Sequence, residues 1–300
     1  NKIGYDWFFV ELGGKKQNSN FNSVNYAKYK SYSETLSSWS YVQDFFAVEE
    51  LIKNGIIDKK FVIINGNTGD FISGGHLPKL KSLKKESLGN KLEEILQYTI
   101  EKHFALWENY FSEESLKEIK KLIVSSIPKE ILDISQGQEH KIYEYIEFIN
   151  RQSNYVIQGQ RVYDFYGLKW ELPMWNEDYL NFWNKVPYKL KFNQKLYKYM
   201  LFKNDWAGVW NNIPVNDIYI KPTYINFLRN FLKIFFMLKK RKKWHSFDKK
   251  FISYFIEIVP HYTYFNYFEI IKSSKVARNA LAWHVEEYLK LKGFNNVKKK

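Results

Sequence analysis

The pattern of apolar and polar positions divides this chain near residue 80. Asp6 to Leu12 is rich in aromatic and β-branched residues and stops at Gly13 and Gly14, which predicts a buried strand ended by a turn. A polar segment, Lys15 to Ser40, follows. Between Gln43 and Asn54 the apolar Phe46, Val48, Leu51 and Ile52 alternate with Glu49, Glu50 and Lys53, and Gly55 comes next, which predicts a helix closed by a glycine. Phe61 to Ile64 is a short, wholly apolar run ahead of a glycine cluster. Strand, helix and strand in succession predict a parallel sheet covered on both faces. After Pro78 the texture turns helical, with Leu92, Ile95, Leu96, Ile100 and Phe104 at helical spacing and loops carrying Pro128, Pro173, Pro187, Pro214 and Pro222. The expected fold class is α/β: a partial parallel sheet in residues 1–80, then a larger, mainly helical region in 81–300.

Composition narrows the chemistry. A content of 45% hydrophobic and 19% aromatic residues supports a packed core. The chain has no cysteine, which excludes disulfides, thiolate metal sites and a cysteine nucleophile; its six histidines have no metal-ligand spacing. The net charge of +14 raises the question of a polyanion partner. Lysine is spread among abundant Asn, Ile, Tyr and Phe, the bias that A+T-rich coding produces, so a solvated basic surface is expected and no nucleic acid. The densest basic run, Lys239 to Lys243, follows the apolar stretch Phe227 to Leu238, which falls short of the roughly 20 residues of a membrane span. It reads as a helix packed on its own domain with a charged turn after it; a helix lying on an anionic membrane surface is the other reading, so peripheral membrane contact stays open. No stretch has the form of a signal peptide, and a cytoplasmic location is expected.

The segment with most chemical promise is Phe61 to Pro78, an apolar strand delivering Gly66, Asn67, Thr68, Gly69 and Asp70, then Ser73, Gly74, Gly75 and His76. Ligands bind at the carboxyl ends of strands in open α/β sheets. The glycines allow backbone N–H groups to approach a phosphate, Thr68 and Ser73 add hydroxyl donors, and Asp70 suits a magnesium ion held against phosphate oxygens. A structural turn is the competing reading. His76 reads either as a phosphate contact or as the first residue of a helix.

A second segment, Arg161 to Lys195, turns the balance. Asparagine synthetases carry a G-E-G-S-D-E-x-x-G-G-Y loop, then a W-G-x-E-x-R-x-P-F-L-D block and a lysine within G-x-x-K. Gly66, Asn67, Thr68, Gly69, Asp70, Gly74, Gly75 and His76 match the first in register; Gly167, Pro173, Met174, Trp175 and Asn176 match the second; Lys195 matches the lysine. The chain thus resembles the asparagine-synthetase-like ATP pyrophosphatases, and most closely the asparagine-synthase-related proteins of bacterial surface-polysaccharide gene clusters. The resemblance runs nearly the whole length, to Asn279–Leu289. It implies a partial adenine nucleotide alpha hydrolase-like sheet, ATP and Mg²⁺ as cofactors, and an AMP-forming ligase or amidotransferase that adenylates a small-molecule acceptor for amination. By implication Asp70 holds Mg²⁺-pyrophosphate, Lys195 steadies the phosphates, Arg161 adds a further cation, and Gln43 and Asp44 contact substrate or nucleotide; a helix cap by Asp44 is the alternative. Departures are Asn67 for the family's glutamate, Phe71 for its second acidic residue, Lys169 and Glu171 for its acidic and basic pair, and Asn176 for the closing aspartate. They imply a changed acceptor or decay of the site. The family's S-G-G-x-D-S loop has no counterpart before Tyr5 to Val10, so either a preceding segment carries it or the protein lacks it, and ammonia, if used, would come from a separate glutaminase or from that segment. The rival functions are a non-catalytic fragment or degenerate nucleotide-binding homologue, and a basic membrane-surface or nucleic-acid-binding protein.

Overall fold

The computed structural model describes residues 3–12, 14–35, 42–79, 88–107, 111–133, 138–211, 223–239, 241–256, 264–273 and 275–294. They divide between two compact units. One comprises Asn1–Phe8, Gly55–Phe104 and Phe111–Pro214; the other comprises Phe9–Asn54, Ala105–Tyr110 and Val215–Lys300.

In chain order the early elements are α1 (Gly14–Phe21), α2 (Val24–Ser33), α3 (Val42–Lys53), the strand β1 (Val62–Ile64) and the short α4 (Gly69–Ile72). Ser23 starts α2 by accepting the Tyr26 N–H at 3.1 Å, satisfying one orphan donor of the first turn. Helix α3 ends as its pattern predicts, with Gly55 in the left-handed region at φ +68°. Next come α5 (Leu88–Thr99), a π-helical turn at Ile100–Phe104, α6 (Glu113–Ser125), α7 (Lys129–Leu132) and α8 (His140–Glu147). A nine-residue π-helical stretch, Phe148–Val156, continues α8 and leads to α9 (Arg161–Tyr166), β2 (Lys169–Glu171), α10 (Glu177–Lys185), α11 (Tyr188–Lys191) and α12 (Lys195–Asn204). The remaining helices are α13 (Thr223–Lys239), α14 (Arg241–Phe251), α15 (Ser253–Ile256), α16 (Tyr267–Lys272) and α17 (Leu281–Leu291).

The chain is mainly helical, and among the described residues its sheet is one parallel pair, β1 with β2, in the register Val62↔Lys169, Ile63↔Trp170 and Ile64↔Glu171. Two expectations need correction. Asp6 to Leu12 forms no strand, and Tyr5, Trp7, Phe8 and Phe9 are exposed. Aromatic and β-branched composition makes a strand only where a neighbour takes up its backbone hydrogen bonds. Nor is the sheet covered on both faces, because Val62 and Ile64 are exposed.

The first unit's core joins α5, α6 and α8 through Ile95, Leu96, Ile123, Ile142, Tyr143 and Ile146. A second cluster sets Phe71 and Ile72 of α4 against Trp183 and Val186, with Leu196 and Tyr197 of α12 packed on it. In the other unit aromatic rings dominate. Tyr29 stacks on Phe45 at 4.4 Å, and the buried His284 packs against both Phe21 and Tyr264, which also touch each other. Trp283 meets Trp107 edge-on at 4.8 Å.

Candidate functional site at the strand ends

The two segments singled out in the sequence lie about a hundred residues apart and meet at the carboxyl ends of β1 and β2. The Asn65 N–H donates to the Glu171 carbonyl at 3.1 Å, extending the ladder by one bond. Asn65 then turns the chain: its side-chain oxygen accepts the Asn67 N–H at 2.8 Å, and its amide donates to the Tyr163 hydroxyl of α9 at 2.9 Å. Thr68 has φ +77°, a left-handed conformation uncommon for a β-branched residue. Two bonds hold it there. Its hydroxyl donates to Gln152 at 3.1 Å and accepts from the Trp175 indole at 2.8 Å.

The loop after α4 is fixed as tightly. The Ser73 hydroxyl donates to the Gly69 carbonyl at 2.6 Å and accepts from the Gln194 amide at 2.8 Å. Gly74 has φ +94°, and a Cβ there would come within 2.2 Å of the Lys191 carbonyl oxygen. A protein neighbour therefore accounts for Gly74. Thr68 and Ser73, expected as phosphate donors, are 2% and 0% exposed with their hydroxyls committed to the protein, so their part is to shape the loop. Gly66, Asp70 and Gly75 are exposed, and the side-chain nitrogen of Asn67 is buried without a hydrogen-bond partner.

Gln194 links this loop to the start of α12. Asn193 and Gln194 both adopt left-handed conformations, at φ +55° and +60°, turning the chain so that exposed Lys195 opens α12, whose first turn has no side-chain cap. Its N–H groups and the lysine give that end positive character. Arg161, half-buried, opens α9 two residues before Tyr163. Asp70, Arg161 and Lys195 thus sit on three elements tied by hydrogen bonds to the strand-end loop. Asp44 lies in the first turn of α3, inside the helix and not at its cap, and α3 belongs to the other unit. The side chain of Gln43 lies outside the described residues.

His76 is the centre of a relay that the sequence did not disclose. Its Nε2 is 2.8 Å from Asp70 Oδ2, and its Nδ1 bonds Glu147, whose side chain has no solvent exposure. Glu147 also accepts from the Tyr143 hydroxyl and from Gln152 at 3.1 Å, with Lys102 at 3.5 Å and Arg151 at 3.4 Å. The π-helical stretch explains the Gln152 bond, because its wider turn lays residues five apart over one another. Ser153 and Asn154 reach back by the same five residues to the carbonyls of Phe148 and Ile149.

The electrostatics follow from these contacts. Burial alone raises the Glu147 pKa, but the bond and charge of His76, the charge of Lys102 and the Tyr143 hydroxyl outweigh it and hold the carboxyl at about 2. Burial opposes the charged form of His76, yet its bonds to Asp70 and Glu147 raise its pKa overall. The His76 bond in turn lowers Asp70. Tyr143, buried beside a carboxylate, is pushed far up and stays a hydroxyl donor. The signal missed in the sequence is the glutamate at 147, set four residues after Tyr143 and one after Ile146 on an otherwise apolar face.

A cavity of about 500 Å³ lies beside α4, whose Phe71 and Ile72 form part of its wall. Lys141, Asn181, Asn184 and the ion pair of Lys191 with Glu144 at 2.5 Å supply its polar lining, and the buried indole nitrogen of Trp183 has no partner. Among the described residues no three His, Asp or Glu side chains form a protein cage for a metal. The exposed carboxylate of Asp70 accepts the Phe71 N–H at one oxygen and faces His76 with the other, so a magnesium ion there would take its other ligands from phosphate and water. No protein-family model, no curated protein and no solved structure matches this chain.

Proposed function

We propose that this chain is the synthetase part of an asparagine-synthetase-like ligase that activates an acceptor carboxylate with ATP and aminates it. On this reading β1 and β2 belong to an adenine nucleotide alpha hydrolase-like sheet. The observation that carries it is the meeting of the Gly66–His76 loop, the Pro173–Trp175 block and the start of α12 at the carboxyl ends of parallel strands, where open sheets take ligands.

The reaction needs positive charge and donors set in advance around a departing pyrophosphate. An acceptor carboxylate oxygen bonds to the α-phosphorus as the bond to the bridging oxygen breaks, and pyrophosphate takes the electron pair. An amine then bonds to the acyl carbon, AMP leaves with the acyl oxygen, and the nitrogen gives up its proton. Lys195, the N–H groups of the first turn of α12 and Arg161 supply fixed positive charge. Asp70 would hold magnesium, which neutralises phosphate charge when bound. Glu147 and Asp70 favour the protonated form of His76, and in that form an imidazolium faces Asp70 and adds a cation that needs no reorganisation. The cavity beside α4, lined by Lys141, the amides of Gln138, Asn181 and Asn184, and Glu144 neutralised by Lys191, suits an anionic acceptor.

A second reading, a nucleotide-binding homologue without turnover, draws on Asp70 itself: one oxygen accepts the Phe71 N–H at 2.8 Å and the other meets His76. Pyrophosphate release by the full-length protein with ATP and Mg²⁺ separates the two. Asp70→Ala and Lys195→Ala, both at exposed positions, are each expected to slow release on the order of 100-fold. Release unchanged in both variants would remove the site assignment, and ATP binding without any release would favour the homologue.

A further inference from the structure

Helix α13 carries two apolar stripes and uses one of them. Ile225, Arg229, Leu232 and Phe236, spaced four, three and four apart, are its partly buried positions and mark the seam toward α14. Across that seam Phe236 packs on Trp244 at 5.6 Å and Phe247 at 4.8 Å, and Arg229 grips Asp248 with two bonds of 2.7 and 2.8 Å. The second stripe faces outward. Phe227 is 78% exposed, Phe231 64%, Ile234 63%, Phe235 51% and Leu238 80%, with Leu228 beside them. At 3.6 residues per turn these six fall within an arc of about 120°, along a helix about 25 Å long. Scattered exposed apolar residues need no explanation, but a continuous row of large ones marks a contact surface.

Charge identifies what the row meets. From Thr223 to Phe251 the sequence has nine Lys and Arg residues and one acidic residue, Asp248, which Arg229 already engages. Five of the cations, Lys239 to Lys243, follow directly on the apolar row. A second copy of this chain would bring the same positive charge to the contact and be repelled. A bilayer with anionic lipids offers hydrocarbon for the row and negative headgroups for the lysines in one plane. No helix among the described residues is long and apolar enough to cross a membrane. We propose that α13, with the basic start of α14, lies in the surface of an anionic bilayer and holds this protein there. Helix α13 packs on α14 of its own unit, as expected, with Arg241 to Lys243 opening α14 where a charged turn was expected; that seam uses the smaller part of its apolar surface.

Co-sedimentation of the full-length protein with vesicles tests the proposal. It is expected to pellet with phosphatidylcholine vesicles containing phosphatidylglycerol and to be released by salt. A triple variant, Phe231→Ser with Ile234→Ser and Phe235→Ser, should lower partitioning about tenfold or more, with an unchanged circular dichroism spectrum because all three are exposed. Lys233→Glu with Lys243→Glu, both at exposed positions, should weaken binding to the charged vesicles and keep the fold. Failure to pellet, equal pelleting with pure phosphatidylcholine, or a dimer in light scattering that the triple variant dissociates would each overturn it; the last would hand the row to a second copy. Binding only to an acidic protein, with no vesicle binding, would overturn it too. Pyrophosphate release plays no part in the readout.

Discussion

At position 147 a full negative charge sits where no solvent reaches it. Isolated, such a charge would take up a proton; this one is kept ionised by the donors and cations around it, His76, Tyr143, Gln152, Lys102 and Arg151. The arrangement also settles the histidine. With Nδ1 bonded to Glu147 and Nε2 to Asp70, both ring nitrogens face acceptors, which is the condition for an imidazolium. Glu147→Gln removes the charge and keeps the shape. Its expected effects are a loss of stability of about 3 kcal/mol and a fall of the His76 pKa, read from the imidazole resonances in an NMR titration. A His76 titration equal to that of the wild type would disprove the pairing. Glu147 on an apolar face was the local sign of a buried charge, but its partner was not legible, since His76 and Glu147 come together only through the packing of α8. Asp70, by contrast, could be singled out from the sequence, as a carboxylate among glycines after an apolar run, a pattern that ordinary turns share.

Among the elements, those with a regular period were the legible ones. The helix at 42–53 and the stripe Leu92, Ile95, Leu96, Ile100 could be read because apolar positions repeat every 3.6 residues, and the strand at 62–64 because a short apolar run precedes a glycine cluster. Two kinds of element escaped. Residues 6–12 have strand composition without a sheet position to fill, and 148–156 departs from the α-helical period on which the reading rests. Glycines also divided. Gly74 is demanded by α11, whose Lys191 carbonyl occupies the space a side chain would need. Gly74→Ala should therefore cost about 3 kcal/mol or more in urea unfolding. Gly66 has open space around it and a permitted φ, so Gly66→Ala should leave stability within about half a kcal/mol and bear only on ligand approach.

For the whole molecule, the relay ties stability to pH with opposite signs at its two ends. The Glu147 pKa lies below its ordinary 4.5, so its contribution is complete above that value and drains away as pH falls toward 2. His76 lies above its ordinary 6.5, so its contribution is complete below 6.5 and is lost as pH rises through the folded value. The window where both are in force runs from about 4.5 to 6.5. The difference in urea midpoint between wild type and Glu147→Gln should peak within that window and shrink on both sides; a difference flat with pH would rule the linkage out. At this scale the sequence conveyed the helical weight of the chain and the excess of positive charge. It could not convey which apolar surfaces find a partner, as the outward row of α13 illustrates. The wide coil at 148–156 has one last consequence. It amounts to an ordinary helix with a residue to spare, so shortening the chain by one there would tighten the coil without unwinding it. Every side chain beyond the cut would swing by about 100°, and Gln152 would turn away from the carboxylate it reaches: length along this stretch is felt as rotation.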